Sequence, residues 1–555
     1  MTADNRAPHT PLEQLAARYF AATFEQYPII ATSLGIHDYD DRLGDFSATA
    51  LQNYAAQVKG MQAELAQIDP AALPITERSD YQLLAANMED TLLDIEQIKE
   101  WQRSPQLYAD VAVFSIFLLV SREYAPLATR LRGVLARLQQ VPGLLALGKQ
   151  QVQNPPAIFT ETAIEGGGGA VSFFRQAVPM FASQLGEQDA TLKADVVAAA
   201  EQAAAAMEEY VIWLNDDLSQ RSDGDFALRG LYQRKLQLQH MIEQTPAQIA
   251  AWGRELFTNT LAQMRDLAEE IDPNKSWDEI IADTRRDHPT ADGLLLAYRG
   301  ETERLLAFLN HHQLVTIPPG ELEIVETPTF QRATYPYAGY AQPGAFDAVQ
   351  TGQFWVTPVN PNSSAAEQEQ QLEEHAWAWI PIIALHEGYP GHHLQLLRAN
   401  QASTYIRKHL GFSSLFVEGW ALYCEQMMGE VGYYTDRRVK LSQLRGQLWR
   451  AARVMIDVGL QMGAMSIDEA IRLLSDQVKF SPESARGEVR RYTMTPGQPM
   501  SYLLGKDAIL RLRDEAQSRW GQSFSLQRFH DRLLSSGSIP MKLVREEFWA
   551  AAEGG

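Results

Sequence analysis

From Ala190 to Leu218 the chain is rich in alanine and contains neither proline nor glycine. A stretch of that composition folds as one long helix or as two abutting ones. Similar punctuation runs through most of the sequence. Thr10-Pro11-Leu12-Glu13 opens a helix with a threonine cap, a proline in the first turn and a glutamate three residues after the cap. Thr245-Pro246-Ala247-Gln248 repeats the device before a periodic stretch that runs to about Ile271. Proline and glycine collect mainly between such segments, at Pro142-Gly143, Pro155-Pro156 and Pro318-Pro319-Gly320. No fixed-period repeat emerges, which argues against a solenoid. The expected fold class is mostly α.

Two stretches break the helical pattern. Glu321 to Phe330 and Gly352 to Val359 alternate apolar and polar residues as strands do. Aromatic, proline- and glycine-rich chain from Tyr335 to Phe346 separates them, and a helix is expected from about Ser364. The pair predicts a small antiparallel sheet whose edge can bind extended peptide. The run Gly166-Gly167-Gly168-Gly169 fits neither a phosphate loop nor a dinucleotide fingerprint, and it reads as a flexible turn.

The 48 Lys and Arg against 69 Asp and Glu leave a net charge of -21. Such a surface repels phosphate backbones and anionic lipid, so no nucleic-acid or membrane partner is expected. The single cysteine, Cys424, excludes an intramolecular disulfide and any cysteine-built zinc finger. The opening MTADNRAPHTPLEQ has no basic-then-apolar segment, and the longest apolar run, Val111 to Val120, is about half a membrane span. A cytoplasmic protein is the expectation; oligomeric state is left open.

Chemistry concentrates in one place. Of 12 histidines, three fall in His386-Glu387-Gly388-Tyr389-Pro390-Gly391-His392-His393, directly after the apolar stretch Trp377 to Leu385. Burying imidazoles and a carboxylate there costs several kcal/mol (roughly) unless they are paired or bind a metal. His-Glu opens the HExxH motif, in which histidines four apart on a helix hold one Zn²⁺ and the glutamate is the general base. Here the fourth position is Pro390. His392 and His393 follow at six and seven positions, about 9 and 10.5 Å along an ideal helix, too far for one ion. Pro390-Gly391 must therefore break or bulge the helix and swing His392 back, leaving His393 in the cleft or behind the ligands. A third ligand has to come from elsewhere. Phe416-Val417-Glu418-Gly419-Trp420-Ala421-Leu422-Tyr423-Cys424-Glu425 offers Glu418, with Glu425 placed to accept a ring N–H from a ligand histidine. Cys424 is a soft alternative, more in keeping with a packed thiol.

The strings HEGYPGHH, FVEGWALYCE and the late PGQPMSYLLGK resemble a bacterial family long catalogued as of unknown function. Its members are predicted helical zinc metallopeptidases similar in architecture to thimet oligopeptidase and neurolysin. The resemblance runs from about Thr245 to the C-terminus and more loosely over the whole chain. It implies one Zn²⁺ per chain held by His386, His392 and Glu418, with Glu387 as base. It also implies a large two-lobed helical clamshell with a small sheet near the active site. Residues 1–320 would form much of the cleft wall and 321–555 the catalytic part, as one continuous unit. Where the family usually reads PGQALSY, Pro499 and Met500 replace Ala and Leu, while Gln498, Ser501 and Tyr502 remain. A family Arg-Ala-x-Arg run followed by Asp-x-Gly stands here as Arg450 to Arg453 and Asp457 to Gly459, and Gln461 occupies a position where many members have His.

The expected reaction is hydrolysis of short peptides by metal-activated water, with Tyr502 as first candidate for the oxyanion donor, then Tyr492 or His393. Arg490, Arg491 and Lys506 read as surface cations, though they could hold a substrate carboxylate. Two other readings compete: a metal-dependent amidohydrolase acting on a non-peptide amide, and a helical binding protein without catalysis.

Overall fold

The computed structural model describes residues 9–328, 332, 335, 337–401 and 404–550. Helix makes up 72% of it, with one three-stranded sheet. Two compact units form, Met1–Phe226 with Pro343–Val349, and Ala227–Gln342 with Gln350–Gly555. Among the described residues no single helix is long and apolar enough to cross a membrane.

In the first unit, helix α1 (Pro11–Gln26) starts as its sequence dictates, since Thr10 and Glu13 close a reciprocal capping box. The glycine run is not a turn. It lies inside α2 (Ala157–Ser172), which packs on α3 (Ala190–Asp216). The reason is space: a Cβ on Gly167 would sit 2.2 Å from Cγ2 of Val211, so glycine lets the two helices approach. The alanine-rich stretch is one helix, with Leu218 in the short turn that follows it. Its buried face, Val196, Ala199, Ala200, Ala203, Ala204, Met207, Tyr210 and Leu214, recurs at helical spacing. The 343–349 stretch contributes Asp347, which pairs with Arg122 at 3.6 Å and His37 at 3.8 Å.

The second unit carries the residues of interest. Helix α4 (Pro246–Ile271) is capped by the Thr245/Gln248 box, and α5 (Leu294–His312) follows. The sheet consists of β1 (Glu321–Glu326), β2 (Ala338–Ala341) and β3 (Thr351–Val356), in the order β1-β3-β2. β1 and β3 are parallel, with Ile324 opposite Phe354, whereas β2 runs antiparallel to β3 with Tyr340 opposite Phe354. The expected antiparallel pairing of the two alternating stretches is therefore wrong. The intervening aromatic segment supplies its own strand and takes the antiparallel place beside β3. Thr329 and Phe330, the end of the first stretch, lie outside the described residues. Phe354 packs edge-on against Tyr298 of α5, ring centres 5.4 Å apart. Ser364 caps a helix over Ala365–Glu373 as expected.

Six further helices build the site: α6 (Ile380–Glu387), α7 (His392–Asn400), α8 (Ser414–Glu430), α9 (Arg437–Gln461), α10 (Pro482–Met494) and α11 (Gln498–Trp520). α9 packs along α4, where Gln447 Nε2 donates to Thr260 Oγ1 at 2.9 Å. α8 packs along α11, and the two backbones touch. A Cβ on Gly505 would lie 1.8 Å from the Leu415 carbonyl oxygen, and one on Gly419 would lie 2.5 Å from Gly505 Cα. This crossing sets Glu418 on α8 beside the first turns of α11.

Candidate metal centre

Pro381 sits in the first turn of α6, where its missing N–H costs nothing, and His386-Glu387 end the helix. The backbone then departs from helix at Gly388, and α7 restarts at His392 with Gly391 as its cap. The break expected at Pro390-Gly391 is present. Gly391 is needed for room: its N–H donates to the Leu385 carbonyl at 2.9 Å, and a Cβ would lie 2.0 Å from the His386 carbonyl oxygen. From α8, Trp420 Nε1 donates to the Pro390 carbonyl at 2.8 Å and pins the connection.

The break brings the His386 and His392 rings to 4.7 Å, nearly perpendicular. Glu418 Oε2 lies 3.9 Å from His386 Nε2 and 3.4 Å from His392 Nε2. One ligand atom from each of the three residues falls within 4.8 Å of the others. Ligands about 2.1 Å from a tetrahedral ion are roughly 3.4 Å apart, so the set fits a zinc-sized cation after small adjustment. Glu418 Oε2 is also buried without a hydrogen-bond partner, an expensive state that a cation relieves. Behind the triad, Glu425 is 1% exposed and its Oε1 is 2.8 Å from His386 Nδ1. The carboxylate can only accept, so Nδ1 carries the proton and the Nε2 lone pair faces Glu418.

The electrostatics ask for positive charge. Burial alone would raise the Glu418 carboxyl, but His392, His386 and Tyr502 hold it down at about 2. Burial would likewise depress His392, and Glu418, Glu387 and Glu425 together raise it instead. Glu387 is half-buried beside the triad and makes no hydrogen bond or ion pair to another described residue. Tyr502, on α11, lays its ring nearly parallel to that of His386 at 6.5 Å. Gln498 Nε2 lies 3.4 Å from both the Tyr502 hydroxyl and Glu418 Oε1. Burial and the Glu418 charge push the Tyr502 phenol up against the opposing arginines, so it keeps its proton.

Several expectations need correction. His393 points away from the triad: its ring nitrogens meet the hydroxyls of Tyr340 at 3.0 Å and Tyr389 at 2.9 Å, and burial takes its imidazole down to about 4. Tyr492 is fully buried, donates to Glu488 at 2.5 Å and accepts from Arg453, so its hydroxyl is already used. Cys424, in keeping with the packed-thiol reading, is buried and directed at the Pro390 carbonyl, 3.9 Å away. Lys506 is no surface cation; it is 3% exposed, burial takes it down to about 7, and Nζ donates to Gln447. Gln461 ties loop to helix, accepting from Leu228 N at 3.2 Å and donating to the Thr493 carbonyl at 3.3 Å. Asp457 accepts from Gly497 N at 3.1 and 3.2 Å, and Gly497, in the left-handed region at φ 87°, turns the chain into α11. The sequence signal for the Gly419/Gly505 crossing is only a glycine inside each helical pattern, the usual sign of such an approach.

A family model described as "Bacterial protein of unknown function (DUF885)" matches residues 28–548. The chain belongs to this DUF885 family. Two solved structures show the same fold over nearly the full length of both chains. One is a candidate lipoprotein of unknown function from Shewanella oneidensis, 27% identical, TM-score 0.81, covering 97% of this chain and 99% of that one. The other is a candidate lipoprotein from Colwellia psychrerythraea, 21% identical, TM-score 0.82, covering 98% and 99%. No curated protein matches the chain. Every residue of the site lies inside the stretch that defines DUF885 membership.

Proposed function

We propose that this DUF885 member is a zinc-dependent hydrolase of short peptides, with one zinc held by His386, His392 and Glu418. The observation that carries the reading is the convergence of two Nε2 atoms on a buried Glu418 oxygen that has no hydrogen-bond partner. Zinc in a two-histidine, one-carboxylate set supplies Lewis acidity, which acidifies water and polarises a carbonyl. The rest falls to the chain. Glu387, next to a ligand but outside the triad, takes the proton from the attacking water and passes it to the leaving amine. The Tyr502 hydroxyl, still protonated, donates to the oxygen on which charge develops. Glu425 fixes the His386 tautomer and ring plane.

The clamshell form seen in neurolysin, with the site at its floor, is part of the same proposal. A helix-rich chain with one small sheet, whose Tyr340 and Phe354 lead to the His393 side of the motif, supports it. The metal-dependent amidohydrolase remains the rival enzyme, since the same triad serves a non-peptide amide. Digestion of a peptide library by the zinc-loaded protein, with and without chelator, tests the reading. Chelator-sensitive cleavage that zinc restores supports it; zinc binding with no peptide cleaved rejects it and leaves the amidohydrolase and the non-catalytic binding protein. The expected compartment is the cytoplasm, and fractionation of the native cell checks it against the lipoprotein descriptions carried by the two solved relatives.

A further inference from the structure

Three guanidinium groups gather at the Tyr502 side chain: Arg450 and Arg453 from α9 and Arg491 from α10. Arg453 lies 4.8 Å and Arg450 5.5 Å from the centre of the Tyr502 ring. Both are deeply buried, at 3% and 8% exposure. One carboxylate hydrogen-bonds to two of them. Glu488 Oε2 accepts from Arg453 Nη2 and from Arg491 Nη2, each at 3.0 Å. Arg491 is completed by Gln498 Oε1 at 2.9 Å and Arg453 by the Tyr492 hydroxyl at 2.8 Å. Arg450 has far less. Among the described residues its only hydrogen bond runs from Nη1 to the Gly446 carbonyl at 3.3 Å. Arg450 Nε and Arg453 Nη1 are buried with no partner.

A buried cation with unused donors is costly, and an anion that occupies the fork removes the cost. The fork is also near the triad. The Tyr502 ring that the two arginines face is the one lying along His386, and the Glu418 and Glu425 charges act on Arg450. From an amide carbonyl to the carboxylate of the next residue is about 3.5 Å of extended chain. A substrate whose last amide met the triad would hold its terminal carboxylate within that distance of the cleaved carbonyl. Arg450 and Arg453, with their unpartnered donors, are cations gathered at the Tyr502 ring beside His386.

We propose that Arg450, with Arg453 beside it, binds a free carboxylate one residue beyond the scissile amide, so that the enzyme trims peptides from the C-terminus. This rests on the hydrolase reading above. The C–N bond of the last amide breaks, the hydroxyl of water goes to the carbonyl carbon and a proton goes to the released amine. The products are a free amino acid and a peptide one residue shorter. An N-acylated amino acid offers the same carboxylate beside an amide, and it is tested in parallel.

Two arms decide. In the first, zinc-loaded wild type is given tripeptides as free acids, the same tripeptides as C-terminal amides, and N-acetylated amino acids. Amidation is expected to lower kcat/KM at least ~30-fold, the loss typical of an unpaired buried charge. In the second, zinc-loaded Glu387→Gln binds the free-acid peptide and its amide in a calorimeter. The free acid is expected to bind at least ~30-fold tighter, and adding Arg450→Gln should abolish the difference while zinc content is unchanged. Arg450→Lys should recover part of it. Equal binding and equal cleavage of acid and amide would overturn the carboxylate site and leave the peptidase reading standing. Carboxylate-dependent binding with only acetylated amino acids cleaved would uphold the site and overturn the peptide reading.

Discussion

Glu425 Oε1 stands 2.8 Å behind His386 Nδ1, and Glu418 Oε2 stands 3.9 Å in front of Nε2, so one imidazole is held between a partner and a candidate ligand site. The rear contact fixes which nitrogen carries the proton. Glu425→Gln keeps the shape but lets the amide NH₂ face Nδ1, which favours the wrong tautomer. Zinc affinity should fall roughly 10- to 100-fold, with the fold intact. Competition against a fluorescent chelator measures it.

Glu387 has a different task from its neighbour. His386→Ala should lose the metal outright. Glu387→Gln should retain it stoichiometrically and lose roughly 10²- to 10⁴-fold in kcat, because the base is not a ligand. Metal analysis and peptidase assay on the same preparations separate the two. Loss of zinc from Glu387→Gln would place Glu387 in the ligand set.

Much of this arrangement was legible. Caps at Thr10, Thr245 and Ser364 fall where the sequence puts them because capping is local chemistry, decided within four residues. The broken motif helix was legible for a geometric reason: His386 and His392 cannot meet on a straight one. Contacts set by distant chain were not. Nothing near Gly167 announces Val211, and nothing near His393 announces Tyr340 on another element. The parallel pairing of β1 with β3 depended on a third strand whose Ala338-Gly339-Tyr340-Ala341 has little strand pattern of its own. Surface and interior also look alike in Arg and Lys. Lys506 is buried because α11 lies between α8 and α9, which composition cannot reveal.

The first unit should carry a pH dependence of its own. Burial alone would lower His37, but Asp347 and Asp40, the latter 2.9 Å from Nδ1, raise it to about 9. A raised folded value means that the stabilisation is full below about 6.5 and is lost as pH climbs through about 9. Wild type should therefore exceed His37→Gln by about 1–2 kcal/mol at pH 6, less than the full shift because the half-buried ring is screened by solvent, and the gap should narrow by pH 10. Denaturant unfolding of both proteins across that range measures the gap. A difference that grows with pH would reverse the sign and sink the assignment.

The crossing of α8 and α11 gives the last test. At Gly505 a Cβ would lie 1.8 Å from the Leu415 carbonyl oxygen and 2.8 Å from Gly419 Cα, both backbone atoms. No rotamer change relieves that, so Gly505→Ala must push the helices apart. Tyr502 lies a turn before Gly505 on α11, and Glu418 adjoins Gly419 on α8, so the separation moves the proposed oxyanion donor away from the proposed ligand. Stability should fall by about 3 kcal/mol, at the upper end of ordinary overpacking. Residual activity under fully folded conditions should also drop, in kcat more than in KM. Gly487 is the control. It is an exposed position inside α10, and its Cβ would meet nothing within 4 Å. There alanine removes only the entropic cost of glycine, so Gly487→Ala should gain about 0.5–1 kcal/mol and leave kcat alone. Thermal unfolding and single-substrate kinetics on the pair decide the matter: shifts of the same sign in both variants would mean that helix propensity, and not the backbone contact, governs Gly505.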